Sequence, residues 1–258
     1  IYTLSLHDAL PIYYRGKATA LNTTQPSDAP GEAPRLNKFL ARQLGISRRE
    51  ADILIDSETV TINGEIARLG ARVTSDSEIR VAGKLIAQKP ASLRYVVFNK
   101  PAGYVCSRRA QGDAPTIYSL LPPELHTLKP VGRLDKDSSG LLILTNDGDF
   151  AYRMTHPKFA KTKVYRVRLD RDLEPLHQQM ISDFGVELPD GRSQLTLLRL
   201  DGDNRREWQA TMTEGRNRQI RRTFAALGYT VTKLHRTNFG NYSLGDMKRG
   251  QWRETSVK

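Results

Sequence analysis

The feature that most constrains this chain is the spacing of its short apolar runs. Runs of strand-like composition recur at residues 94–99, 140–145, 164–169, 194–200, 207–213 and 230–234. Helical periodicity appears among them only at 149–155, 174–182 and 217–227. Strands therefore outnumber helices and do not alternate strictly with them. That pattern disfavours a doubly wound parallel sheet and predicts an α+β domain with a mixed or antiparallel sheet over residues 94–258.

A different pattern precedes it. Leu36, Phe39, Leu40 and Leu44 recur at helical spacing, and Gly45 stops that helix. Ser47 and Glu50 fit a capping box that opens a second helix carrying Ala51, Leu54 and Ile55. Asn63-Gly64 then separates Val60-Thr61-Ile62 from Glu65-Ile66, a strong local signal for a hairpin. A further strand at 78–81 precedes Gly83, so residues 35–86 read as two short helices followed by a small sheet. Residues 87–93, with Pro90, read as a linker. Residues 1–34 carry Pro26, Pro30 and Pro34 among small polar residues and are expected to be a disordered tail or an artefact.

The chain has 40 lysines and arginines against 28 acidic residues, a net charge of +12. An excess of this size points to a polyanion partner, because basic side chains that neutralise phosphates release counterions. Residues 35–86 hold nine basic and seven acidic residues, so most of the excess belongs to the larger segment. No apolar run reaches the length of about 18 residues that a membrane span requires. The single cysteine, Cys106, excludes an internal disulfide and a cysteine-rich zinc site, and a reducing cytoplasm is the simplest location. His7, His126, His156, His177 and His235 show no ligand spacing, and no Gly-rich phosphate loop occurs, so neither metal nor cofactor is expected. No coiled-coil heptads appear, which makes a monomer the expected state.

Three stretches could carry chemistry. In the first, Gly132-Arg133-Leu134-Asp135-Lys136-Asp137-Ser138-Ser139-Gly140 feeds the apolar run Leu141-Leu142-Ile143-Leu144. Asp135 and Asp137 there are either turn formers or chemical groups. In the second, Glu214-Gly215-Arg216-Asn217-Arg218-Gln219-Ile220-Arg221-Arg222 leads a helix whose apolar stripe is Ile220, Phe224 and Leu227. With a step of about 100° per residue, Arg218 and Arg222 project away from that stripe, towards solvent or phosphate. Arg221 lies at its border, where the stem packs while the guanidinium reaches a buried acid. In the third, Lys163-Val164-Tyr165-Arg166-Val167, the two valines fall on opposite faces, which predicts a strand covered on both sides. Tyr165 is either a core aromatic or a platform on which a base stacks.

Residues 35–86 resemble an S-four-like RNA-binding domain, in which two helices sit on structured RNA. That resemblance assigns Arg35, Lys38, Arg42, Arg48 and Arg49, otherwise a solvated face, to RNA contact. From residue 94, Asn99-Lys100-Pro101-Ala102-Gly103-Tyr104-Val105 and the three stretches above follow in the order of the RsuA/RluB-like family of rRNA pseudouridine synthases. The combined resemblance covers residues 35–254. It implies an isomerase that needs no cofactor and acts on ribosomal RNA, naked or in a ribosomal assembly intermediate. It implies that Asp135 is the catalytic aspartate, that Tyr165 stacks on the target uracil, and that Arg221 pairs with the acid beside apolar Ile220. Asp135 then either attacks the anomeric carbon or removes a proton from its neighbour. Arg133 either contacts RNA or holds the catalytic loop, and Arg218, Arg222, Lys100, Arg108 and Arg109 are expected on the RNA. The segment 240–253 looks more like the large-subunit branch than the small-subunit one.

Two other readings compete. A non-catalytic RNA-binding assembly factor would share the charge and the first domain, but leaves the trio Asp135, Tyr165 and Arg221 without purpose. A DNA-binding regulator would read the two helices as a helix-turn-helix, but leaves the hairpin after them and the whole larger domain unexplained.

Overall fold

The computed structural model describes residues 33–88, 92–108 and 112–258. The chain divides into two compact units, Ile1–Gln88 and Lys89–Lys258.

In the first unit, α1 (Leu36–Leu44) buries Leu36, Phe39 and Leu40 and ends where Gly45 turns left-handed at φ 70°. Ser47 caps α2 (Arg48–Asp56) through both halves of the expected box. The Glu50 amide donates to Ser47 Oγ at 3.1 Å, and the Ser47 amide donates to Glu50 Oε2 at 2.6 Å. The sheet contains β1 (Val60–Ile62), β2 (Glu65–Ile66), β3 (Ile79–Val81) and β4 (Lys84–Leu85) in the order β2-β1-β3-β4. Asn63 and Gly64 both take positive φ, 51° and 89°, as the two-residue hairpin requires. Leu36, Leu40, Ile55, Val60 and Ile79 close the core at 2% exposure or less. Each such side chain stabilises by about 1.5–3 kcal/mol.

The second unit is built on a nine-stranded sheet. Its elements are β5 (Tyr95–Lys100), β6 (Lys129–Pro130), β7 (Ser139–Thr145), α3 (Gly148–Thr155), β8 (Lys163–Leu169), α4 (Pro175–Gln179), β9 (Thr196–Arg199), β10 (Glu207–Met212), α5 (Gln219–Ala225), β11 (Val231–Phe239), β12 (Tyr242–Ser243) and β13 (Trp252–Thr255). The main path runs β13-β5-β7-β11-β8-β10-β9, with β6 on β7 and β12 on β11. Among the described residues only β7 and β11 pair as parallel strands, so the sheet is mixed, as strands that outnumber helices without strict alternation predict. Strands β5 and β7 are buried along their whole length. Alternate residues feed two cores, one with Val96, Phe98, Leu142, Leu144 and Trp208, the other with Val97, Leu141, Ile143, Phe150 and Tyr242.

Four local expectations change. The helix over 174–182 stops at Gln179 and passes into one π-helical turn, Met180–Phe184, before Gly185 at φ 76°. The last helix starts at Gln219, because Arg218 is left-handed at φ 46°. The strand expected over 230–234 runs on to Phe239 through a bulge between Arg236 and Asn238. Strand β8 is one-faced rather than covered on both sides: Tyr165, Val167 and Leu169 are buried while Arg166 and Arg168 stand exposed.

Candidate active site

Residues 132–138 form a loop that enters β7, and the site is built on it. Gly132 opens the loop at φ 69°. The loop is fastened from below by Lys100, the last residue of β5, whose side chain is fully buried. Its Nζ donates to three carbonyl oxygens, of Ser138 at 2.7 Å and of Asp135 and Pro101 at 3.1 Å each. An ammonium has three protons, and all three are used here. Burial pushes the Lys100 pKa down, opposed by the negative charge potential at Cys106, Asp135 and Asp137. The Gly103 amide donates to Lys136 O at 2.7 Å, and Cys106 Sγ approaches Leu134 O at 3.3 Å. Gly140 follows the loop at φ 111°, and a Cβ there would lie 2.2 Å from Arg236 O.

Asp135 is half-buried and lines a pocket of about 480 Å³. Tyr165, Ile220, Arg218, Arg133 and Leu234 line the same pocket. Tyr165 arrives from the buried face of β8 and is 8% exposed. Ile220 arrives from α5 and is 3% exposed. An aromatic face, an aliphatic wall and a carboxylate thus share one opening. That is a suitable lining for a planar base attached to a sugar.

The arginines do not arrange themselves as the helical phase predicts. Arg221 does not fork onto Asp135. Its Nη1 donates to Val231 O at 2.7 Å, its Nη2 donates to Asp137 O at 3.1 Å, and the same Nη2 lies 3.3 Å from Asp137 Oδ2. Arg218 is the one that approaches the acid, with Nη1 3.7 Å from Asp135 Oδ2. It also forks onto Asp137 through two contacts of 3.2 Å. The reason is backbone geometry. Arg218 precedes the helix in a left-handed conformation, so its side chain turns back over the loop instead of following the helical step. Burial alone would raise the Asp137 pKa, but the Arg218 hydrogen bond and the charges of Arg221 and Arg218 outweigh it and hold the carboxyl below its usual range.

The other expected RNA contacts divide. Lys100 is no phosphate contact, since it is enclosed and saturated by carbonyls. Arg222 is paired with Asp190 at 2.7 Å. Arg133 is exposed at the pocket mouth. Arg108 is exposed and donates to His126 O and Thr127 O, while Arg109 lies outside the described residues. In the first unit Arg42, Arg48 and Arg49 are exposed, and Arg35 and Lys38 are half-buried. Arg48 also donates to Asn37 Oδ1 at 3.2 Å.

Several site residues are given no role of their own by the sequence pattern. Gln219 is buried and bonds Glu214 Oε1 and Ser193 Oγ, tying the start of α5 to its approach loop. Lys163 and Arg236 line the pocket from β8 and β11. Arg236 lies beyond the residue at which the expected strand ends, so alternation never placed it on the site. Among the described residues no helix is long and apolar enough to cross a membrane, and no group of His, Cys, Asp and Glu gathers as a metal site.

A carboxylate loop on a mixed sheet, an aromatic platform and an arginine-bearing helix around one pocket define a class that comparison with known proteins recognises. Residues 94–226 match the RNA pseudouridylate synthase family and residues 34–79 match the S4 domain. The chain belongs to the RNA pseudouridylate synthase family and is an isomerase acting on RNA. A ribosomal small subunit pseudouridine synthase A of Yersinia pestis is 36% identical over 226 residues, covering 87% of this chain and 95% of its own. A ribosomal large subunit pseudouridine synthase B of Yersinia pestis is 35% identical over 234 residues, covering 87% and 73%. A solved pseudouridylate synthase structure, 34% identical, covers 86% of this chain and 96% of its own, with a TM-score of 0.62.

Proposed function

We propose that this enzyme converts one uridine of ribosomal RNA to pseudouridine, with Asp135 as the catalytic group. The observation that carries this reading is the meeting of the Asp135 carboxylate, the buried Tyr165 ring and Ile220 in one pocket. The target base leaves its stack to enter that pocket, at a cost of a few kcal/mol. Stacking on Tyr165 returns about 1–3 kcal/mol. Asp135 acts at the sugar, as nucleophile at the anomeric carbon or as base at the carbon beside it. The N-glycosidic bond breaks, the ring turns, and a bond forms from the anomeric carbon to a ring carbon. That carbon gives up its proton and the freed ring nitrogen gains one, so no atom is imported and no electron is exchanged. Arg218 orients the carboxylate, and Arg221 holds the loop that carries it.

The first unit supplies affinity for folded RNA through Arg42, Arg48 and Arg49, with Arg35 and Lys38 beside them. Arg133 and Arg108 extend the contact at the second unit. The enzyme works as a cytoplasmic monomer on ribosomal RNA or an assembly intermediate. Relatives that act on either subunit stand at nearly equal identity, 36% and 35%. Our choice of the large subunit rests on the segment 240–253.

The test is pseudouridine mapping of total rRNA from a host lacking this gene, complemented with wild type or Asp135→Asn. One large-subunit site restored by wild type alone is the expected result. A site restored by Asp135→Asn as well would remove the catalytic assignment. A small-subunit site would correct the substrate, and no rRNA site at all would overturn the ribosomal substrate and send the mapping to other RNAs before a purely binding role is accepted.

A further inference from the structure

Arg236 is a cation with no carboxylate counter-ion among the described residues. It sits on β11, 2% exposed, and lines the pocket that holds Asp135. Its Nε donates to Leu141 O at 2.8 Å. Its Nη2 is enclosed with no hydrogen-bond partner, and no carboxylate pairs with the guanidinium among the described residues. The guanidinium lies 4.8 Å from the centroid of the Phe239 ring. Lys163 stands on the same ring, with Nζ 5.4 Å from the centroid. The Lys163 ammonium is itself directed at backbone carbonyls, those of Glu214 at 3.0 Å, Thr213 at 3.3 Å and Lys161 at 3.4 Å. Burial and the adjacent charge of Arg236 both push the Lys163 pKa down, in part offset by Glu214.

Two neighbouring positive groups at a partly enclosed wall repel each other, and a buried guanidinium with unused donors is costly unless something neutralises it. The arrangement is explained if the anion arrives with the substrate. A uracil ring offers only partial negative charge, whereas each nucleotide carries one permanent anion, its phosphate. Arginine matches a phosphate through its fixed fork of donors. Position supports the same partner. Arg236 is the cross-strand neighbour of Tyr165 in the register of β11 and β8. A base stacked on Tyr165 therefore brings its own sugar-phosphate within range of this wall.

We infer that Arg236, assisted by the charge of Lys163, receives a phosphate of the nucleotide whose base enters the pocket. This rests on the proposed function in placing the base on Tyr165, and it adds a phosphate subsite to the pocket. Arg236 would then act in ground-state binding and in setting the depth of the flipped nucleotide, without taking part in the transfer of protons.

The test uses the full chain and three small probes, uridine, uridine 3′-monophosphate and uridine 5′-monophosphate, titrated by calorimetry at low salt. Wild type is expected to bind one monophosphate about tenfold or more tightly than uridine, the scale of a charge-assisted contact. Arg236→Met should erase that preference, weakening the monophosphate far more than it weakens uridine. Arg236→Lys should recover part of it, and Lys163→Gln should reduce it. Circular dichroism melts of all three variants show which remain folded, and Lys163→Gln, at a less buried position, supplies the reading if Arg236→Met does not fold. A wild type that binds uridine and both monophosphates alike would overturn the subsite. So would an Arg236→Met that weakens uridine and the monophosphates equally, which would put the guanidinium on the base. The preference for phosphate is read without turnover, so its failure is distinguishable from failure of the proposed reaction, which rRNA mapping reports.

Discussion

Arg218 Nη1 lies 3.7 Å from Asp135 Oδ2, and the same guanidinium forks onto Asp137 at 3.2 Å, so one left-handed residue links both carboxylates of the loop. Arg221, deeper and 13% exposed at its side chain, spends its donors on Val231 O and Asp137 O instead. The two arginines should therefore fail differently. Arg218→Gln is expected to lower single-turnover rate by about 10- to 100-fold, the scale of one charge-assisted hydrogen bond, with a smaller loss of melting temperature than Arg221→Gln. Arg221→Gln should lower the melting temperature, with a stability loss of about 2–3 kcal/mol. Equal rates and equal melting temperatures for the two variants would contradict the division.

Lys100 tests whether the loop is held from beneath. Lys100→Met keeps the stem but leaves the carbonyls of Ser138, Asp135 and Pro101 without their shared donor. Burying unpaired polar groups costs about 1–3 kcal/mol each, so a loss of several kcal/mol is expected in chemical denaturation. If the variant stays folded at low temperature, turnover should drop while RNA affinity, measured by filter binding, stays within about twofold. Unchanged stability would mean that the loop does not depend on this ammonium.

Gly140 is a steric prediction. A methyl group at φ 111° would meet Arg236 O at 2.2 Å and Arg236 N at 2.5 Å, backbone atoms that cannot swing aside. Gly140→Ala should destabilise by more than about 3 kcal/mol or prevent folding. Gly148→Ala, where nothing lies within 4 Å and the residue is helical, provides the matched control and should be neutral or slightly stabilising. Similar melting temperatures for the two would show that β7 and β11 separate more easily than their packing implies.

The ion cluster also has a pH signature. Asp137 has a folded-state pKa below the unfolded one. Its ionised form therefore contributes stability that is fully present above the unfolded value of about 3.9 and is lost as pH falls through the lower folded value. The gap in melting temperature between wild type and Asp137→Asn should be widest near neutrality and narrow as the pH drops below about 4. Because the Asp137 side chain is 47% exposed, the gap should also shrink in high salt. A gap that is constant with pH would assign the contribution to packing alone.

Elements whose signal is local were legible in the sequence. The capping box at Ser47 and Glu50, the left-handed stop at Gly45 and the turn at Asn63-Gly64 depend on neighbours in the chain, and the structure has each of them. The gathering of Asp135, Tyr165 and Ile220 came from the resemblance to known enzymes, since no periodicity joins residues on a loop, a strand and a helix. What pattern could not supply was long-range or conformational. A lysine at the end of an apolar strand gives no sign that its ammonium is buried under a loop 35 residues later, as Lys100 is under Asp135. A helical step assigns directions only to helical residues, so it misplaced Arg218, whose backbone is left-handed. Arg236 was hidden because β11 runs on past Leu234, where the strand expected from the sequence ends.

The strand β13 pairs along β5, with Trp252 opposite Phe98 and Thr255 opposite Tyr95. Thus the earliest strand of the catalytic unit finds its outer neighbour only in nearly the last residues described. On a chain emerging from the ribosome, β5 is made long before β13, and its outer edge stays unpaired until Trp252–Thr255 emerge. Such an open, apolar edge is a template for pairing with other chains. Nascent molecules stalled or truncated before Trp252 are therefore the form of this protein most prone to aggregate, even though they already contain every residue of the pocket.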